Sequence, residues 1–269
     1  MDSAIDLDAY LERVEWGGAV RADLDVLSGL LRAHVTRIPF ENFDVLLGRG
    51  VRLDIGALQG KLVRAGRGGY CFEHATLFAA VLEKLGFQIA RHSARVILFA
   101  PATQSPRTHM FLTVALPEGE FVVDPGFGAF ASRVPIPLSD GAEAHGVHET
   151  HWLAREGGRW VLRARLGDSP VDAWVTTLEN DNPVDFELAN HFVATHPASP
   201  FVNRIMMSAF TDDGRVSAMN RDVTVWRQGQ PRKEQLADRS ALRQLLSDRF
   251  GFDLPEVERL KVPAIPEWE

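Results

Sequence analysis

Cysteine occurs once in these 269 residues. The chain therefore cannot form an internal disulfide, and a reducing cytoplasm is the expected location. Long apolar runs are absent too. No stretch approaches the ~20 residues that a membrane-spanning helix needs, so a membrane is not an expected partner. The opening MDSAIDLDAYLERVEW has neither a basic n-region nor an apolar h-region, and is not expected to be a signal peptide. An excess of positive charge is missing as well. The formal net charge is −7, which leaves no basic surface for neutralising phosphates and argues against nucleic acid as a partner. There is no low-complexity tract and no repeat of fixed period.

What is present is an ordinary globular composition, 45% apolar and 24% charged, enough to bury a sizeable core. The first third has helical periodicity. DLDAYLERVEW places Leu7, Tyr10, Leu11 and Val14 on one face with Asp6 as N-cap. ADLDVLSGLLRAHV repeats the pattern, and Pro39 ends it. FEHATLFAAVLEKLGF does so again, with Gly86 placed to stop the helix. From about residue 89 to 180 the apolar residues alternate instead, in ARVILFA, HMFLTVAL, EFVVDPGF and RWVLRARL, with turn clusters between them. Residues 186–210 read as helical. RVSAMNRDVTVWRQGQP reads as a hairpin, and SALRQLLSDRFGF as a helix capped by Asp238 or Ser240. Helices, then strands, then a mixed end indicate an α+β chain rather than alternating α/β.

The single cysteine sits in GRGGYCFEH. A lone cysteine is commonly a small buried hydrophobe. This one follows two glycines that permit a tight turn, and it falls in the first turn of the next helix. Unpaired amides and the positive end of the helix dipole stabilise a thiolate there. A nucleophilic thiol also needs a base, and there are nine histidines. His74 is one turn on, but would have to bend back to reach the thiol, and reads as a surface or supporting residue. His145, His148 and His151 have the spacing H-x-x-H-x-x-H without a carboxylate or thiolate at ligand distance, so no metal is expected. His191 and His196 have nothing nearby to make them basic.

His109 begins the strand HMFLTVAL, and Asp124 ends the strand FVVDPG across the turn PEGE. In a hairpin with an even-numbered loop, paired residue numbers add to an odd constant. His109 and Asp124 also add to an odd number, so they project from one face. A turn centred on Glu118–Gly119 sets them several residues apart along the ribbon, and one two residues earlier sets them opposite. The sequence does not choose the register. A histidine starting a strand and an Asp-Pro ending one are both common without any catalytic meaning.

RGGYCFEH, THMFLTV and VDPGFG, in this order, resemble the arylamine N-acetyltransferase family. IPFENFDVLLGR ahead of the cysteine and FVATHPASPFVN after the aspartate do so too, and the likeness spans roughly residues 5–250. The resemblance implies three parts: an N-terminal helical domain (1–88), a central antiparallel β-barrel-like domain (89–190) and a C-terminal α/β lid (191–269). The implied core is like that of cysteine proteases and transglutaminases. It also implies a catalytic triad of Cys71, His109 and Asp124, an acceptor pocket walled by Phe40, Phe127 and Phe201, and Thr108 and Gly128 beside the CoA arm. Glu41 and Arg67 could pair to brace the cysteine loop, though an ordinary surface pair reads equally well.

The implied activity carries an acetyl group from acetyl-CoA to the nitrogen of arylamines, arylhydrazines or N-hydroxyarylamines, as in xenobiotic metabolism. It runs by a ping-pong route through acetyl-Cys71 and without a metal. Two other readings keep the same residues: an amide synthase of this fold closing a polyketide chain, and a cysteine hydrolase or transglutaminase-like enzyme. Both a monomer and a homodimer are compatible with the sequence. One departure stands out. The family commonly has asparagine four residues after the cysteine, where this chain has Ala75. Helix propensity alone sets the expected effect of Ala75→Asn below about 1 kcal/mol.

Overall fold

The computed structural model describes residues 4–167, 169–179, 181–211 and 214–268. Helix α1 (Leu7–Arg13) starts where the Asp6 carboxylate accepts the Ala9 amide at 3.1 Å. Asp23 does the same for α2 (Leu24–Arg37), taking the Val26 amide at 2.9 Å. Each cap satisfies an amide that a helix start leaves without a partner. Ile38, which precedes Pro39, is extended and ends α2, as the proline ring demands. Short helices α3 (Phe43–Leu46) and α4 (Ile55–Leu58) and a π-helical turn over residues 59–64 lead to α5 (Cys71–Lys84). After α5, Gly86 takes a φ of 88°, a left-handed stop that costs glycine no side-chain clash.

Among the described residues, eight strands then build one antiparallel sheet: β1 (Gln88–Val96), β2 (Arg107–Leu116), β3 (Gly119–Val123), β4 (Ile136–Pro137), β5 (Glu143–His145), β6 (Thr150–Glu156), β7 (Arg159–Arg165) and β8 (Pro170–Thr176). Their order is β4-β3-β2-β1-β8-β7-β6-β5. The sheet is nearly closed, because the segment after β4 bridges back to β6 through Asp140 and Leu153. Strand β2 is covered on both faces. Phe111 enters the barrel core with Ala94, Val122, Leu162 and Trp174. Met110, Leu112 and Val114 turn outwards into a core shared with Phe72, Leu77, Phe78 and Val81. A strand buried on both sides reads as a continuous apolar run.

Helices α6 (Pro183–Thr195) and α7 (Pro200–Asn203) precede a four-stranded meander of β9 (Met206–Thr211), β10 (Gly214–Met219), β11 (Asp222–Arg227) and β12 (Gln230–Gln235), and α8 (Arg239–Leu245) follows. One sequence expectation is corrected here. Residues 206–210 are not helical but form most of β9, whose Met207, Ser208, Ala209 and Phe210 are all buried, so no alternation marked it as a strand. Strand β12 is exposed throughout and is held by pairing with β11 alone. Asp238, not Ser240, caps α8 by taking the Ala241 amide at 2.8 Å. No helix among the described residues is long and apolar enough to cross a membrane.

Ala75 is fully buried in the core beneath α5. The expectation drawn from helix propensity is revised accordingly, since an asparagine amide here would have to be desolvated among apolar side chains. Ala75→Asn is expected to lower the unfolding free energy by about 1–3 kcal/mol, read from urea denaturation. A loss below about 1 kcal/mol would mean that the amide finds a partner in this core.

Candidate active site

The turn before Cys71 exists because Gly68 and Gly69 carry no side chain. A Cβ on Gly68 would lie 2.0 Å from the Pro39 carbonyl oxygen, and one on Gly69 would lie 2.6 Å from Glu73 Oε2. Tyr70 is extended, and α5 begins at Cys71. Glu73, at the third helical position, reaches back so that its Oε2 accepts the Tyr70 amide at 3.0 Å, which is the carboxylate half of a capping box. Lys61 Nζ lies 2.8 Å from Glu73 Oε1 and 2.8 Å from Asp44 Oδ2. Arg67 holds Asp44 at 3.1 Å and Glu41 at 2.5 Å. Glu41 is fully buried, so the Glu41–Arg67 pair belongs to an internal network and not to the surface. Burial pushes the Glu73 carboxyl up to about 7, with Lys61 opposing and Glu41 adding to the shift.

His74 is not at the surface either: it is 1% exposed. Its ring does bend back towards the helix start, but towards carbonyls rather than the thiol. The Tyr10 hydroxyl donates to His34 Nδ1 at 2.8 Å, and His34 Nε2 meets His74 Nδ1 at 2.9 Å. His74 Nε2 lies 3.1 Å from the Gly69 carbonyl and 3.2 Å from that of Pro39. Carbonyl oxygens only accept, so the proton of each ring sits on Nε2 and the chain runs one way from Tyr10. Both rings are neutral. Burial holds His34 well below its usual range and brings His74 down to about 4, against the raising effect of the two carbonyls. This chain ties together the two loops that carry Phe40 and the turn before Cys71.

Strands β2 and β3 meet through a two-residue turn, with Leu116 opposite Gly119 and Leu112 opposite Val123. Each pair adds to 235, between the two registers weighed from the sequence. Extended along the ribbon, this register sets Asp124 two residues from direct opposition to His109 and on the same face. His109 Nε2 and Asp124 Oδ2 are 2.7 Å apart, and both residues are buried. Asp124 engages Nε2, which leaves Nδ1 for the thiol. Burial disfavours charge on His109, but the charge and hydrogen bond of Asp124, helped by a hydrogen bond with Cys71, lift it to about 10. The Cys71 thiol also donates to the Thr108 carbonyl at 3.8 Å. Trp174 Nε1 donates to the same Asp124 oxygen at 2.9 Å. Nothing in the sequence singles out this residue among six tryptophans.

Phe40, Phe127, Phe201, Thr108 and Gly128 all line a cleft of about 630 Å³ that reaches Cys71 and His109. Gly128 has a φ of 58°, which favours glycine at this bend. The sequence missed the far wall, where Met206, Met207 and Met219 come from β9 and β10. The spaced histidines do not converge. His145 is exposed beside Glu143, whereas His151 is buried and donates to the Phe130 carbonyl at 3.0 Å. Among the described residues, no group of three potential ligands is arranged to hold a metal ion.

Comparison with known proteins gives the class first. The N-acetyltransferase family model matches residues 23–259. The arylamine N-acetyltransferase of Mycobacterium tuberculosis is 39% identical over 94% of this chain and 92% of its own, and that of Mycolicibacterium smegmatis is 37% identical over 97% of both. The solved structure of Mycobacterium marinum arylamine N-acetyltransferase in complex with CoA superposes with a TM-score of 0.89 at 36% identity, covering 94% of each chain. The chain belongs to the arylamine N-acetyltransferase family, and is an acyltransferase of that family.

The neutral histidine pair makes stability depend on pH. His74 titrates at about 4 when folded against 6.5 as a free side chain, so the unfolded chain binds more protons between these values. Stability from this ring is complete above 6.5 and is lost as pH falls towards 4, by up to ~3 kcal/mol. Glu73 works in the opposite sense, since its raised value makes stability fall as pH rises from 4.5 to about 7. Comparing the wild type with His74→Gln isolates the histidine. The stability advantage of the wild type, from urea midpoints, should shrink steadily from pH 6.5 to pH 4. A constant advantage would mean that the ring is not held neutral.

Proposed function

We propose that this chain transfers an acetyl group from acetyl-CoA to the nitrogen of arylamines, arylhydrazines or N-hydroxyarylamines through an acetyl-Cys71 intermediate. The observation that carries this reading is the line Cys71–His109–Asp124, buried at the end of an apolar cleft that opens to solvent. Family membership supports the substrates, as does the CoA seen in the M. marinum relative. A chain with one cysteine forms no internal disulfide and suits a reducing compartment, and we place the protein in the cytoplasm.

His109 Nδ1 takes the thiol proton, and Asp124 holds the ring and stabilises the imidazolium. The thiolate lies in the first turn of the 14-residue α5, where the helix dipole favours negative charge. It attacks the acetyl carbonyl carbon. The oxyanion is met by the Cys71 amide at the helix start. Collapse expels the CoA thiolate, which recovers the proton from His109 and leaves the thioester on Cys71. The amine then attacks this thioester. His109 takes the proton released from nitrogen and returns it to the Cys71 sulfur as the amide departs. The phenylalanines of the cleft keep water from the thioester between the two halves. Both halves use one site, so the kinetics are ping-pong.

Incubation with acetyl-CoA alone should add one acetyl group to Cys71 by intact and peptide mass, and 4-methoxyaniline should remove it. Intersecting lines in a double-reciprocal plot, with no acetylated protein, would point to direct transfer instead. Asp124→Asn should slow acetylation about 10⁴-fold, as for a triad aspartate elsewhere. A rate within about tenfold of wild type in the folded variant would remove Asp124 from the proposed triad.

A further inference from the structure

We propose that Trp174 is a positioning residue of this site, whose indole N–H locks the Asp124 carboxylate in the orientation that serves His109. The inference rests on the acyl-transfer reading of Cys71, His109 and Asp124 given above. Asp124 Oδ2 accepts from His109 Nε2 at 2.7 Å and from Trp174 Nε1 at 2.9 Å. The buried Oδ1 accepts from none of the described residues. The two donors on one oxygen therefore decide which way the carboxylate faces. With His109 alone, the carboxylate could swing about its single hydrogen bond and tilt its plane away from the ring. A second donor converging on the same oxygen position from another direction fixes that tilt. The indole is a donor only and does not titrate, so it steadies the carboxylate without competing for the proton that moves between sulfur and imidazole.

The backbone is bent at both donors. Among the described residues the sheet has two register shifts of this kind. Between β1 and β2, Ala94 faces His109 but Arg95 faces Arg107, which leaves Thr108 as an extra residue. Between β7 and β8, Leu162 faces Trp174 but Arg163 faces Asp172, which leaves Ala173 extra. Each bulge adjoins one of the two residues that hydrogen-bond Asp124, and a bulge re-aims the side chain beside it. Viewed from β1, His109 faces Ala94 and Trp174 faces Val96, so both point to the same side of that strand. The indole itself cannot wander. It is fully buried and stacks on Phe111 with centroids 4.5 Å apart and planes 20° from parallel. Packing alone would be met by any large apolar ring, whereas a buried indole N–H needs an acceptor. Its acceptor here is the carboxylate that orients the base.

The test compares wild type with Trp174→Phe, which keeps an aromatic ring against Phe111 and removes the N–H. A second protein carries 3-benzothienylalanine in place of Trp174, which keeps the bicyclic shape and lacks only the donor. Cys71 alkylation by iodoacetamide is followed against pH, and acetyl transfer is followed at a temperature where each protein is folded. Both replacements should slow alkylation and kcat about ten- to a hundredfold, the usual scale for losing a hydrogen bond to a charged group. The KM for acetyl-CoA should stay within about twofold, because Trp174 acts through Asp124 and not on the substrate. The pH of half-maximal alkylation should rise, because a loosened carboxylate stabilises the imidazolium less, and with it the thiolate. If the folded variants alkylate at the wild-type rate with the wild-type profile, even with a lower melting temperature, Trp174 is only packing and the inference is overturned. If wild-type Cys71 itself reacts no faster than free cysteine, the acyl-transfer reading falls first. The two failures are thus told apart within one experiment.

Discussion

The site depends on one close contact between two backbones. Gly126 lies against the start of α5, where a Cβ would come within 2.6 Å of Cys71 Cα and 3.1 Å of His74 Cβ. That approach seats the helix carrying the thiol on the segment leaving β3, which carries Asp124 two residues earlier and Phe127 and Gly128 just after. The helix cannot slide relative to the sheet without losing it. The packing behind agrees, because Phe72, Leu77 and Phe78 of α5 share one core with Met110 and Leu112 of β2. A thiol and an imidazole from distant segments are held in register by a residue with no side chain.

Buried histidines serve opposite purposes on the two sides of this contact, and their neighbours explain the difference. Behind the helix start, His34 and His74 see a tyrosine hydroxyl, each other and two carbonyls. Dipoles alone do not offset desolvation of a charged ring, so both stay neutral. In front, His109 meets a buried carboxylate at 2.7 Å, and the same residue type is raised to about 10. The neutral pair suits a scaffold, which must not change with proton transfer. In the proposed reaction the raised ring suits a group that holds a proton while sulfur carries the charge. The ionic network of Lys61, Arg67, Glu41, Asp44 and Glu73 lies on the scaffold side and secures the turn at Gly68 and Gly69.

The cleft is assembled from segments far apart in the chain. Phe40 comes from the loop after α2, Phe127 from the loop after β3, and Phe201 from α7, with Met206 and Met207 of β9 closing the far side. Phe40 is fastened twice, by backbone hydrogen bonds to Ser208 at 2.8 and 3.0 Å and by a bridge to Gly69. In the proposed reaction this apolar lining has two tasks, to bind an aromatic acceptor and to keep water from the thioester.

Local rules made much of this protein legible in its sequence. The cap Asp6, the choice of Asp238 or Ser240 for α8, the stop at Gly86, the helical spacing of α5 and the parity that sets His109 and Asp124 on one face all follow from chain geometry within a few residues. The glycines before Cys71 announced a tight turn, and the ordered motifs around them matched the family. The tertiary structure alone decided the rest, because those features rest on contacts between residues far apart. The hairpin register waited on the choice of turn residues. Strand β9 was hidden because burial on both faces erases alternation, and β12 because exposure on both faces does so too. His74 read as peripheral until His34, forty residues away, supplied its partner. Trp174 carried no signal at all: a tryptophan in an apolar strand declares that it is buried, and only the folded sheet shows that its N–H ends on the carboxylate of Asp124.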